Sequence, residues 1–167
     1  QLKQFCDRVE MLVKERALKL YKLDSDEWDV NVQAATGSAA NLAVLSALLE
    51  PGDKILSMFL YDGGHLSHGW QLPDGKKVSF SSRIFDVSYY HVNKTSERFD
   101  YNEIEKQAQE MKPKLIISGG TAYPPEIDHE RMAHIAHEVD ALYLADIAHE
   151  AGLVAAGVNE RPFEHAD

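Results

Sequence analysis

The sequence predicts an α/β fold, a three-layer α/β/α sandwich built on a mostly parallel sheet. Two observations predict it. Short apolar runs at Lys54 to Met58, Leu115 to Ser118 and Ala141 to Asp146 have the length of strands buried on both faces. Between them lie segments whose apolar residues recur at helical spacing, the alternation expected when crossover helices join parallel strands. No repeat, low-complexity tract or linker divides the 167 residues.

Each element has its own signal. Leu2, Phe5, Val9, Leu12, Val13, Ala17 and Leu20 recur at helical spacing, so residues 2–22 are expected to form an amphipathic helix that faces the core. Trp28 to Gln33 reads as a short strand. Thr36-Gly37-Ser38 opens a second helix, rich in Ala and Leu, which Pro51-Gly52-Asp53 ends. Residues 66–80 read as a polar surface loop, and Ser79 to Val92 as one or two strands. Tyr101 to Met111 reads as a helix with Ile104, Ala108 and Met111 inward, and another helix is expected over roughly 128–138.

Composition narrows the function. A formal net charge of −10 argues against a nucleic-acid or anionic-membrane partner. No apolar run is long enough to span a bilayer. The single cysteine, Cys6, fits a reducing compartment. Gln1 opens inside a helical pattern and Asp167 follows no closing element, so the chain reads as a piece of a longer protein.

Three stretches carry candidate chemistry. Asp146 ends an apolar run, and the carboxyl ends of strands in open α/β sheets are where ligands bind. A buried carboxylate there needs a cationic partner, such as a protonated pyridine nitrogen or a metal ion; it could also simply cap the next helix. Gly37 and Ser38 stand where free N–H groups and the helix dipole attract an anion, although Thr36 or Ser38 could be plain caps. Gly63-Gly64-His65 places an imidazole after a flexible turn, where it could stack on a flat ring, act as a base or ligate a metal. Thr121 follows two glycines at the end of Leu115 to Ser118, level with Asp146. Together these groups would grip a planar phosphorylated cofactor such as pyridoxal phosphate. The competing chemistry is a metal-dependent hydrolase using His65, His68, Asp146 and His149.

A family resemblance sharpens this reading. Asn31-Val32-Gln33, Gly37-Ser38, Ala40-Asn41, Glu50-Pro51, the run Asp62 to Gly69, Lys112 to Ile117, Ala145 to His149 and Gly152 to Gly157 together resemble serine hydroxymethyltransferase. Arg16-Ala17-Leu18 and Tyr21 to Asp24 lean toward its eukaryotic-type members. The resemblance implies that residues 1–167 are part of the cofactor-binding large domain of a fold-type I pyridoxal-phosphate enzyme, without the small C-terminal domain. It implies interconversion of serine and glycine, with the one-carbon unit passing to and from tetrahydrofolate, in a homodimer. The location would be cytoplasmic, or mitochondrial if a transit peptide precedes Gln1.

On matching positions, Gly37 and Ser38 would bind phosphate, and His65 and Ala148 would cover the two faces of the pyridine ring. Thr121 would stand near the ring hydroxyl, Asp146 would pair with the ring nitrogen, and His149 would lie near the ring hydroxyl and substrate carboxylate. His65, Asp146 and His149 are the catalytic candidates; Leu60, Gly64 and Leu66 match folate-site positions. The family's Schiff-base lysine would follow His165-Ala166-Asp167, so residues 1–167 by themselves are expected to bind the cofactor weakly or not at all and to turn nothing over. Ala34-Ala35-Thr36, Ala39, Pro124-Pro125 and Glu150 depart from the family pattern, and those at 34–39 and Glu150 keep open a catalytically dead homologue acting as a binding or regulatory partner.

Overall fold

The computed structural model describes residues 2–167; the helical reading of Gln1 lies outside the described residues. The helices are α1 (Leu2–Tyr21), α2 (Gly37–Leu48), α3 (Phe80–Ile84), α4 (Tyr101–Met111), α5 (His129–His137) and α6 (Ala151–Ala156). The strands are β1 (Lys54–Met58), β2 (Asp86–Tyr90), β3 (Leu115–Ser118) and β4 (Leu142–Ala145). They form one parallel sheet in the order β2-β1-β3-β4.

The pleat sorts the strand residues between two cores. Ile55, Val87, Leu115 and Ile117 face Leu45 and Leu49 from the α2 side. Leu56, Ile116 and Tyr143 face the other way, onto Ile104 and Ala108 of α4 and Met132, Ile135 and Ala136 of α5. Each fully buried Ile or Leu stabilises by about 1.5–3 kcal/mol, so these two layers dominate the packing energy. Side-chain caps start the helices: Thr36 accepts from the Ala39 N–H, Asp100 from those of Asn102 and Glu103, and Asp128 from that of Arg131.

Several expectations need correction. Trp28 to Gln33 is not a strand. Asp29 and Asn31 bond their own neighbourhood, at Val30 N (2.7 Å) and Gln33 N (2.9 Å), which competes with ladder pairing. Trp28 instead packs edge-on against Phe163, beside Tyr21. Ser79 caps a helical turn, α3, so only the second half of the 79–92 stretch is a strand. The loop 66–80 is not all surface, since His68 and Trp70 are buried.

α1 forms as expected but buries none of its residues, and Phe5 stays 70% exposed. Its packing is against α6 rather than the sheet. Amphipathic spacing says that a face wants cover, and is silent about which element covers it. β4 is also less enclosed than expected. Tyr143 is buried, but Leu142 and Leu144 are only part-buried, because β4 is one of the two edge strands among the described residues.

Behind the sheet, His129 Nδ1 lies 2.6 Å from the Tyr143 hydroxyl, which lies 2.6 Å from Ser118 Oγ. Burial, then the nearby His165, pushes the His129 imidazole down to about 4. The unfolded chain takes up this proton near pH 6.5, so between about 6.5 and 4 it binds more protons than the folded chain. Stability is therefore full above that window and lost as pH falls through it. A loss of about 3 kcal/mol is expected. Urea unfolding at a series of pH values measures it, and His129→Gln should flatten the dependence.

Candidate functional site

The C-terminal ends of β1, β3 and β4 meet the N-terminus of α2, and the candidate residues gather there. One cavity of about 230 Å³ is lined by Thr36, Gly37, Ser38, Asn41, His65, Gly120, Asp146, Ala148 and His149. Residues distant in sequence thus converge as the strand-end reading requires. Thr121 does not line this cavity; it borders the adjoining one together with His149 and Glu150. Leu66 borders a third cavity with Ser38, Leu42 and Phe80. Leu60 lies in the short turn Leu60–Asp62, just before the two glycines.

Backbone packing holds the strand ends together. At Gly64 an added Cβ would lie 2.3 Å from the Met58 carbonyl oxygen. Thus Gly64, whatever else it touches, is required by the close approach of its own chain.

Asp146 is the most heavily bonded residue of the cavity. Its Oδ2 accepts from Asn41 Nδ2 (2.8 Å) and lies 2.8 Å from His68 Nε2. Its Oδ1 accepts from the Ala148 N–H (3.1 Å). Burial pushes the carboxyl up, but the hydrogen bonds from His68 and Asn41 outweigh it and hold the group well below the usual carboxylate range. Asp146 is an anion at neutral pH. A carboxylate offers about four acceptor sites; three are taken, and the one left over is on Oδ1. The capping reading survives only as the turn to Ala148, because α6 starts at Ala151 and its first turn takes no side-chain cap.

His68 contributes in a way that sequence reasoning missed. It is buried, and its Nδ1 has no hydrogen-bond partner. Because a carboxylate can only accept, His68 donates its Nε2–H to Asp146. His65 sits against His68 edge-to-face, with ring centroids 5.6 Å apart. Burial, then the neighbouring His68, pushes the His65 imidazole down, so it is neutral at pH 7.

At α2 the Thr36 side chain accepts from the Ala39 N–H, and Gly37 and Ser38, whose N–H groups open the helix, line the cavity. Nothing lies within 4 Å of an added Cβ at Gly37, so the space in front of that helix end is open. Thr36 thus does the capping work at a position where the resembled family usually has serine. Glu150, another departure, turns away and accepts from Asn159 Nδ2 (2.9 Å). Among the described residues no three His, Cys, Asp or Glu side chains form a group that could hold a metal ion, which removes the support for the hydrolase reading.

The serine hydroxymethyltransferase family model matches residues 3–167. The chain belongs to the serine hydroxymethyltransferase family. Among its relatives is the mitochondrial serine hydroxymethyltransferase of Candida glabrata, 46% identical over 98% of this chain and 34% of the relative. The cytosolic enzyme of Candida albicans is 45% identical over 96% of this chain and 34% of its own. A 2-methylserine hydroxymethyltransferase from Ensifer is 48% identical over 98% of this chain and 36% of its own. This serine hydroxymethyltransferase-family chain spans about a third of the length of the curated relatives it matches. Its parallel sheet with helices on both faces is the α/β architecture expected of the family domain. Among the described residues no helix is long and apolar enough to cross a membrane.

The donor set suits a flat, anionic, phosphorylated ligand with one protonated ring nitrogen. The open helix end matches phosphate, and the leftover acceptor on Asp146 matches a cationic N–H. The two requirements stand on the same cavity. A larger cavity, about 420 Å³ between the end of β2 and α4, lacks this pairing and is edged by Asp100, Glu103 and Glu110.

Proposed function

We propose that the natural polypeptide carrying these residues interconverts serine and glycine with pyridoxal phosphate, moving the one-carbon unit to and from tetrahydrofolate. The observation that carries this reading is Asp146, an anion held by His68 and Asn41 with one acceptor site to spare, beside an open helix N-terminus. When bound, the cofactor supplies an electron sink for a carbanion next to an amino group. The chain's own residues do the rest. Gly37 and Ser38 hold the phosphate by N–H and O–H donation. Asp146 keeps a proton on the ring nitrogen through a charge-assisted hydrogen bond. His65 and Ala148 cover the two ring faces, and His149, exposed at the mouth, meets the substrate carboxylate. Thr121, one position beyond the cavity lining, reaches the ring hydroxyl, while Leu60, Gly64 and Leu66 form the folate side.

The partner we propose for assembly is a second copy. The exposed Phe5, Val9 and Val13 of α1 support it. A cytoplasmic location is proposed, with the mitochondrial one open, since relatives carry both names.

No lysine lines the cavity among the described residues. Residues 1–167 alone are therefore expected to leave serine unconverted, whereas the natural polypeptide converts it. Glycine release from serine, in the presence of tetrahydrofolate and the cofactor, is the readout. Turnover by neither species, in folded protein loaded with cofactor, would leave the chain a binding homologue.

A further inference from the structure

The hydrogen bonds through Asn41 run outward in two directions. Asn41 is a buried polar residue on α2, a helix made mostly of Ala and Leu. One of its two amide hydrogens goes to Asp146 Oδ2 and the other to Ser67 Oγ, each at 2.8 Å. Asp146 can only accept, so the side-chain NH2 must face it and the amide cannot flip. Ser67 Oγ, having accepted from Asn41, has its own hydrogen free for His65 Nδ1 at 2.7 Å. The Ser67 backbone N–H also donates to Nδ1, at 3.2 Å. Two donors aimed at one ring nitrogen leave no place for a hydrogen on it, so His65 carries its hydrogen on Nε2.

We propose that Asn41 is a positioning residue of this pocket: its amide anchors Asp146 directly and, through Ser67, holds His65 as the neutral Nε2–H tautomer. This deepens the cofactor reading above and rests on it. A neutral imidazole can lie against a ring whose nitrogen is protonated without like-charge repulsion. One side chain thereby sets both contacts, and it does so from the helix whose first turn receives the phosphate. The groups facing His65 are His68, Asp146 and His149; of these, Asp146 alone favours the protonated ring. Without the relay, the Ser67 hydroxyl can turn and accept from a protonated Nδ1, opposed only by the longer Ser67 backbone N–H contact at 3.2 Å.

The test uses nitrogen-15 NMR of the histidine side chains in cofactor-free protein between pH 5 and 8. In the parent protein His65 should show the Nε2–H pattern and titrate lower than an ordinary histidine. Asn41→Leu, which is close in volume and donates nothing, should move its midpoint to higher pH and bring in the Nδ1–H form. Ser67→Ala should move His65 in the same direction while leaving Asp146 and Asn41 paired. It keeps the test decisive should Asn41→Leu fail to fold. A cofactor titration followed by absorbance should show about tenfold weaker binding for Asn41→Leu, the loss expected when one hydrogen bond to a buried carboxylate goes. An unchanged His65 titration in folded variants would overturn the relay. Because that arm contains no cofactor, its failure is distinct from failure of the parent protein to bind pyridoxal phosphate, which would overturn the reading beneath it.

Discussion

Asp146→Asn is expected to lower serine turnover by the natural polypeptide about a thousandfold, with the fold intact. Asparagine keeps the shape, and its single oxygen can still accept from Asn41 and His68. Its NH2 group then faces the Ala148 N–H and can no longer hold a protonated ring nitrogen. Removing one preorganised electrostatic contact costs about 10²–10³ in kcat, and here the contact sustains the electron sink itself. Urea unfolding should separate this from collapse: Asp146→Asn is expected to be less stable near neutral pH, because it loses the charge that strengthens the anion's hydrogen bonds and turns its NH2 onto the Ala148 N–H, yet to keep one cooperative transition. Activity within tenfold of the parent would mean that Asp146 does not face the reacting ring.

Gly119→Ala is expected to destabilise the protein by about 3–5 kcal/mol. Gly119 ends β3 with φ +104°, a conformation that L side chains rarely adopt, and an added Cβ would lie 1.9 Å from the Asp146 carbonyl oxygen. That oxygen belongs to the backbone, so β3 and β4 would have to part. The Asp146 N–H donates to the Ser118 carbonyl at 3.0 Å, so the same displacement strikes the acid. Gly52→Ala is the matched control. Its φ is +93°, but nothing lies within 4 Å of its Cβ, so it should cost only about 1–2 kcal/mol. Equal losses at the two sites, measured by denaturant unfolding, would show that strain alone matters and that the β3–β4 approach is slack.

What the sequence made legible follows from physics that is local. β1 and β3 form over the predicted spans because Ile55-Leu56 and Leu115-Ile116-Ile117 are uninterrupted apolar runs with a face for each core. α4 matches because an Asp cap and a clean apolar period agree. The loop residues around the cavity were found through glycines and helix ends, features that a short window contains. The failures are where distant chain decides. Trp28 to Gln33 has strand-like composition but, among the described residues, no neighbouring strand to pair with. α1 carries a correct period, yet its apolar face meets no core among the described residues. The roles of Asn41 and His68 were missed because their partner Asp146 lies 105 and 78 residues away. One signal was available: an amide inside an Ala- and Leu-rich helix must find a buried partner.

If one cavity binds phosphate at α2 and a protonated ring nitrogen at Asp146, its residues must respond to the cofactor as a unit. Backbone and histidine-ring NMR shifts of residues 1–167, titrated with pyridoxal phosphate, test it most directly, because weak binding suffices. The Gly37, Ser38 and Ala148 amides and the His65 ring should shift together along a single saturation curve, and inorganic phosphate should move Gly37 and Ser38 but not Ala148. Shifts centred on the β2–α4 cavity, or no shifts at this one under millimolar cofactor, would contradict it.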